Sequence, residues 1–159
     1  MEYAVRLEGV CKKFKEEQVL KGITHSFEKG NIHGIVGFNG SGKTVMFKCI
    51  CGFLKPEEGH IWVNGQEVGK DVDFPPSLGM IIENPGFLPR LTGLANLKRL
   101  AAINRVIKEQ EIRENIRKVG LDPDSSKKVG EYSLGMRERL GIAQALMEDP
   151  QLLTLDEPF

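Results

Sequence analysis

GFNGSGKT, residues 37–44, stands between a short apolar run, Ile32–Val36, and a stretch with helical patterning that starts at Lys43 and reads KTVMFKCICGF. Gly37, Gly42, Lys43 and Thr44 fit the spacing G-x-x-x-x-G-K-[ST], and strand, glycine loop and helix in that order are the setting in which the spacing has a physical meaning. Glycines let the backbone curl so that successive N–H groups point inward at phosphate oxygens. The helix that follows presents its positive dipole end to the same charge. In that arrangement Lys43 reaches the β- and γ-phosphates and the Thr44 hydroxyl takes one position on Mg²⁺. The stretch predicts an α/β fold with Ile32–Val36 as a short strand leading into the loop.

Upstream, Tyr3 to Leu7 alternate with a period of two, and a second β-prone stretch from Val19 to Phe27 follows the charged turn KEEQ, which together predict a small antiparallel edge. Downstream, Asn64-Gly65 sits between two short β-prone segments in HIWVNGQEV, a strong hairpin signal because both residues tolerate positive φ. SLGMIIEN, from Ser77, reads as another short buried strand. Beyond Pro89 the pattern turns helical: Thr92 caps a helix through Asn104, and Ile112, Ile116 and Val119 form one face of a second helix ended by Gly120. A last helix runs from Ser133 to Glu148, stopped by Asp149-Pro150, because the residue before proline is driven out of the helical region. Leu152–Leu155 is then an almost wholly apolar run suited to a strand covered on both faces.

The chain has 159 residues, with Lys+Arg and Asp+Glu at 22 each, so nothing in its charge draws it broadly to nucleic acid or anionic lipid. An anionic ligand must be held by local geometry. MEYAVRLEG alternates charged and apolar residues, unlike a secretory leader, and no apolar stretch approaches the roughly 20 residues that span a bilayer. The expectation is a soluble, intracellular chain. Cys11, Cys49 and Cys51 are odd in number and lack metal-finger spacing, so they read as reduced core or near-core thiols.

Two further features carry chemistry. Asp156 and Glu157 follow the strand Leu152–Leu155, at the carboxyl end where ligands bind in open parallel sheets. An acid pair there is either a solvated turn or, coupled to the phosphate loop upstream, a site in which Asp156 holds Mg²⁺ through water and Glu157 polarises the water that attacks the γ-phosphate. In YSLGM, Ser133 and Gly135 open the last helix. Ser133 is either a plain N-cap or part of a phosphate binder at a helix N-terminus.

The phosphate loop, the YSLGM helix start and the acidic strand end, in this order and separated by a helical insertion, resemble the nucleotide-binding subunit of an ATP-binding cassette (ABC) transporter over the whole chain. GFNGSGKT matches the Walker A loop, with Phe38 where the family most often has proline. The resemblance implies that Phe38, Asn39, Gly40 and Ser41, and Val45 just beyond the loop, surround ATP together with Gly37, Gly42, Lys43 and Thr44. LLTLDE matches Walker B, which gives Glu157 the role of general base. YSLGM occupies the place of the signature Leu-Ser-Gly-Gly-Gln: Ser133 and Gly135 are kept and, in the family, touch the γ-phosphate of ATP on the opposite subunit, whereas Tyr132, Leu134 and Met136 depart. Phe14, in KKFK, matches the aromatic residue that stacks on adenine, the other reading being an ordinary core phenylalanine. Glu83, in GMIIENPGFLP, replaces the glutamine of the Q-loop, where the family senses Mg²⁺ and water and meets the membrane subunit. As an anion near triphosphate, Glu83 raises the electrostatic cost of nucleotide without Mg²⁺. IENPGF with YSLGM is similar to the bacitracin- and lantibiotic-type drug-export ATPases.

The resemblance implies a P-loop NTPase core with an N-terminal antiparallel β edge, made of residues 1–86 and 149–159, and an inserted, mainly helical subdomain, 87–148, that carries the signature. It implies ATP and Mg²⁺ as cofactors, a metal set of Thr44, Glu83 and Asp156, and Lys43 and Glu157 as the catalytic pair. The partners implied are a separate transmembrane permease and a second cassette, as a homodimer or a paired subunit, with no nucleic acid. The place is the cytoplasmic face of the membrane. The family's D-loop, switch histidine and flanking C-terminal strands have no counterpart here, since His25, His33 and His60 all precede the signature. The expectation is therefore a cassette truncated just after Walker B, with Pro158-Phe159 leading toward a loop. Two readings stay open: an ATPase subunit driving export, or a truncated nucleotide-binding module without effective turnover.

Overall fold

The computed structural model describes residues 2–157. They form two compact units, one ending at Pro76 and the other starting at Ser77.

In the first unit four antiparallel strands lie in the order β2-β1-β3-β4, with β1 Tyr3–Phe14, β2 Glu17–Glu28, β3 Glu58–Val63 and β4 Gln66–Glu67. The stretch expected to form only an edge thus supplies an inner strand, β1, which pairs on both sides. It runs well past Leu7 because its backbone is held by two ladders rather than by side-chain alternation alone. Val5 and Leu7 stand opposite Val63 and Ile61 of β3, and all four are buried. Arg6 and Glu8 point to the other face, opposite Trp62 and His60, as strand periodicity requires. There the Arg6 guanidinium lies 4.4 Å from the centre of the Trp62 ring and pairs with Glu8 at 2.6 Å. The β3–β4 hairpin turns on Asn64 (φ 48) and Gly65 (φ 83), both left-handed as a tight two-residue loop demands.

Helix α1, Lys43–Ile50, packs against β2 and β3 and buries Met46, Cys49 and Ile50. Cys49 and Cys51 are buried and form no disulfide, and burial pushes the Cys49 thiol up to about 11, so it stays protonated and unreactive at neutral pH. Ile32–Val36 departs from expectation: residues 31–38 form no strand, and Ile32 and Val36 are 102% and 98% exposed. A short apolar run becomes a strand only when neighbours take up its N–H and C=O groups. Among the described residues no strand pairs with it.

In the second unit β5 (Leu78–Ile81) and β6 (Leu152–Leu155) pair in parallel, Leu78 with Leu152 through Ile81 with Leu155. The apolar run before the two acids is a strand, as expected, but it is not covered on both faces: Thr154 is buried while Leu153 is 39% exposed. Between these strands lie α2 (Gly93–Asn104), α3 (Glu109–Lys118) and α4 (Leu134–Leu146). Thr92 caps α2, its hydroxyl accepting from the Ala95 N–H at 3.2 Å. Ile112 and Ile116 form the buried face of α3, and Gly120 follows its end with φ 77. Helix α4 ends at Leu146, two residues short of Glu148, and Asp149 before Pro150 is left-handed (φ 50), the conformation that releases the chain into β6. Leu97, Ile116, Tyr132, Leu140 and Ala143 interlock as the core of these helices, and α4 packs on β5.

One buried polar residue organises the entry to this unit. Asn96, 4% exposed, accepts from the Leu88 N–H at 2.8 Å and donates to the carbonyls of Leu88 (3.1 Å) and Thr92 (3.0 Å). The segment it holds is also tied to the turn before α4, where the Val129 N–H donates to the Leu91 carbonyl and the Gly130 N–H to that of Pro89. Asn96→Ala strands the Leu88 groups without partners and is expected to cost about 2–3 kcal/mol, read as a lower urea midpoint with an unchanged slope.

Candidate functional site

The phosphate loop is a compact structure in its own right. The chain arrives without regular secondary structure, turns at Asn39-Gly40, and closes with the Ser41 N–H donating to the Phe38 carbonyl at 3.1 Å. Gly42 then opens α1 with φ 95, and a Cβ there would lie 3.0 Å from Val19 Cγ1 and 3.2 Å from the Val19 carbonyl oxygen of β2. Both the handedness and the close strand behind it require glycine. The Lys43 ammonium donates to the carbonyls of Gly37 (2.7 Å) and Phe38 (3.0 Å), so its charge is carried back across the loop. Thr44 and Val45 lie half-buried in the first turn of α1, whereas Phe38, 91% exposed, projects from the loop.

Phe14 closes β1 and is 44% exposed, so it is not a core phenylalanine. The Lys12 ammonium lies over its ring, 5.5 Å from the centre. This exposed, cation-backed ring sits within the same unit as the phosphate loop.

In the second unit the candidate acids gather at the carboxyl end of the parallel pair. Asp156 directly follows β6, is buried, and donates its N–H to the Ile81 carbonyl at 2.8 Å. Glu83 and Glu157 each stand two residues past their strands, β5 and β6, whose last residues Ile81 and Leu155 are paired. Both are left-handed, with φ 60 and 47, an uncommon conformation for residues with a side chain and one that concentrates at ligand sites. Pro158 and Phe159 lie outside the described residues.

Among the described residues no group of three or more His, Cys, Asp or Glu side chains could hold a metal. Mg²⁺ prefers one or two carboxylates, phosphates and waters to an all-protein cage. The hydroxyl of Thr44 and the carboxylates of Asp156 and Glu83 are hard-oxygen donors of the right kind.

At the start of α4 the Ser133 hydroxyl accepts from the Met136 N–H at 3.2 Å, so Ser133 is an N-cap. It remains exposed beside Gly135, where an added Cβ would meet nothing within 4 Å. Tyr132, which departs from the usual signature, is 6% exposed and belongs to the helical core. Burial raises its hydroxyl above the ordinary phenol value, and the group bonds to the Gly93 backbone. This substitution serves packing. Asn96 carries no visible signal in the sequence: an asparagine inside a helical pattern looks like surface until its partners are known.

A model of the ABC transporter family matches residues 20–159. The chain belongs to the ABC transporter family. Over 150 residues it is 45% identical to the uncharacterized ABC transporter ATP-binding protein YybJ of Bacillus subtilis, covering 94% of this chain and 69% of that one. It is 38% identical to the bacitracin transport ATP-binding protein BcrA of Enterococcus faecalis, covering 100% of this chain and 52% of the relative. A dimeric ATP-binding cassette solved in a post-hydrolysis state with ADP and Pi aligns with a TM-score of 0.82 at 25% identity, over 97% of this chain and 74% of that one. The antiparallel sheet and helices described above are those of an ABC cassette fold, and this chain spans about half the length of its bacitracin relative. Among the described residues no helix is long and apolar enough to cross a membrane.

Proposed function

We propose that this chain is the ATP-binding and ATP-hydrolysing part of an ABC exporter of the antimicrobial-peptide or drug type. The observation that carries the ATP reading is the phosphate loop, with Lys43 held at its mouth by two carbonyls of the same loop. An ammonium has three N–H groups, and the one left over serves a β- or γ-phosphate oxygen. The loop N–H groups from Gly37 to Thr44 surround the phosphates, and Phe14 stacks on the adenine. The Thr44 hydroxyl and the carboxylates of Asp156 and the Q-loop Glu83 would be the donors to Mg²⁺. When bound, the ion neutralises charge on the triphosphate. Glu157 orients a water and takes its proton as the oxygen attacks the γ-phosphate, giving ADP and inorganic phosphate. Ser133 and Gly135 face the nucleotide of a second cassette, so that two copies close around two ATP molecules.

The cassette works with a separate membrane permease, docked by the Q-loop segment at the cytoplasmic face, and residues 87–148 act as its helical subdomain. Export of a peptide antibiotic is supported by the bacitracin relative, which aligns over the whole chain. Deleting the coding gene is expected to lower the bacitracin resistance of the source organism severalfold, with resistance restored by the wild-type gene. Unaltered resistance to bacitracin and to lantibiotics would remove the export reading while leaving ATP binding untouched.

A further inference from the structure

The end of β1, which carries Phe14, is tethered in a way that ordinary strand pairing does not need. Glu57, at the turn that opens β3, bonds three successive residues of β1. Its N–H donates to the Cys11 carbonyl at 3.0 Å, its Oε1 accepts from the Lys12 ammonium at 2.6 Å, and its Oε2 accepts from the Lys13 N–H at 2.9 Å. Lys12 donates further to the Lys55 carbonyl at 2.8 Å, which leaves its side chain only 13% exposed, unusual for a lysine on a sheet. The bonds from Lys12 and the Lys13 amide hold the Glu57 carboxyl below the usual carboxylate range, so the clamp is ionised at neutral pH.

The next residue is Phe14, with the clamped ammonium lying over its ring. Three consecutive tethers leave the following residue little play, and the ammonium keeps one ring face occupied. We propose that Glu57 and Lys12 are positioning residues for ATP: they fix the Phe14 ring with one face backed by the Lys12 charge and the other offered to the adenine base. The inference rests on the reading of Phe14 as the stacking residue. It adds an electronic element as well as a steric one, because a cation on one face draws ring density away from the other and suits it to an electron-rich purine.

The test uses the full chain with two probes, MgATP and magnesium tripolyphosphate, the second having phosphates but no base. Phe14→Ala is expected to weaken MgATP about 10-fold and leave tripolyphosphate unchanged, as loss of one stacked base requires. Glu57→Ala is expected to weaken MgATP about 3- to 10-fold, again sparing tripolyphosphate, and to add nothing in the Phe14→Ala background. Lys12→Met, which keeps the apolar stem and the Glu57–Lys13 bond, reads the charge alone and serves if Glu57→Ala does not fold. Glu57 and Lys12 variants that leave MgATP affinity intact while Phe14→Ala lowers it would overturn the proposal. So would equal losses for both probes, or losses that multiply in the double variant, since either means that Glu57 merely holds the sheet together. Unchanged MgATP affinity in Phe14→Ala alone would defeat the stacking reading, and the brace with it.

Discussion

Lys43→Ala is expected to lower MgATP affinity roughly 100-fold, the scale of a charge-assisted bond to phosphate removed from a loop whose one cationic residue is Lys43. Two effects act in the same direction. The ammonium no longer meets the triphosphate, and the carbonyls of Gly37 and Phe38 are deprived of the group that draws the loop closed. Titration calorimetry with MgATP measures the sum. Affinity within a factor of about two of wild type would sink the assignment of residues 37–44 as the phosphate site, because no rearrangement of a glycine loop replaces a missing positive charge.

Glu157→Gln separates binding from chemistry. The amide keeps the size and hydrogen-bonding reach of the carboxylate but cannot take a proton, so hydrolysis is expected to fall about 10³-fold while MgATP still binds. With turnover blocked, the ATP-bound pair of cassettes should accumulate as a dimer on size-exclusion chromatography. Turnover above roughly a tenth of wild type would shift the general base elsewhere. The first residue to try is then Glu83, which stands at the same end of the β5–β6 pair.

Much of this arrangement is legible in the residue order because it depends on short-range rules. The Asn64-Gly65 turn, the Thr92 cap and the Ser133 cap are decided by the chemistry of single residues, and each forms where the sequence places it. The phosphate loop is equally local: its hydrogen bonds join residues within six positions of each other. Ile32–Val36 misleads for the opposite reason, since a strand exists only through a partner that a short window cannot name. β1 is longer and more central than its alternation predicts, its inner position being set by β3, more than forty residues away. Side chains whose meaning is distant are hidden for the same cause. Asn96, Glu57 and Lys12 look like ordinary surface residues until the groups they bond are brought beside them. Tyr132 shows the converse, a departure within a recognisable motif that the helical core explains.

Trp62 is the sole tryptophan of the chain, and it lies on the antiparallel sheet beneath the Arg6 guanidinium. That gives the molecule a built-in optical label confined to one of its two units. Its emission follows the state of the sheet, whereas three of the four α-helices among the described residues lie in the other unit and dominate the far-ultraviolet ellipticity. A thermal scan that records both signals therefore follows the sheet and the helices side by side, without a dye or an engineered probe.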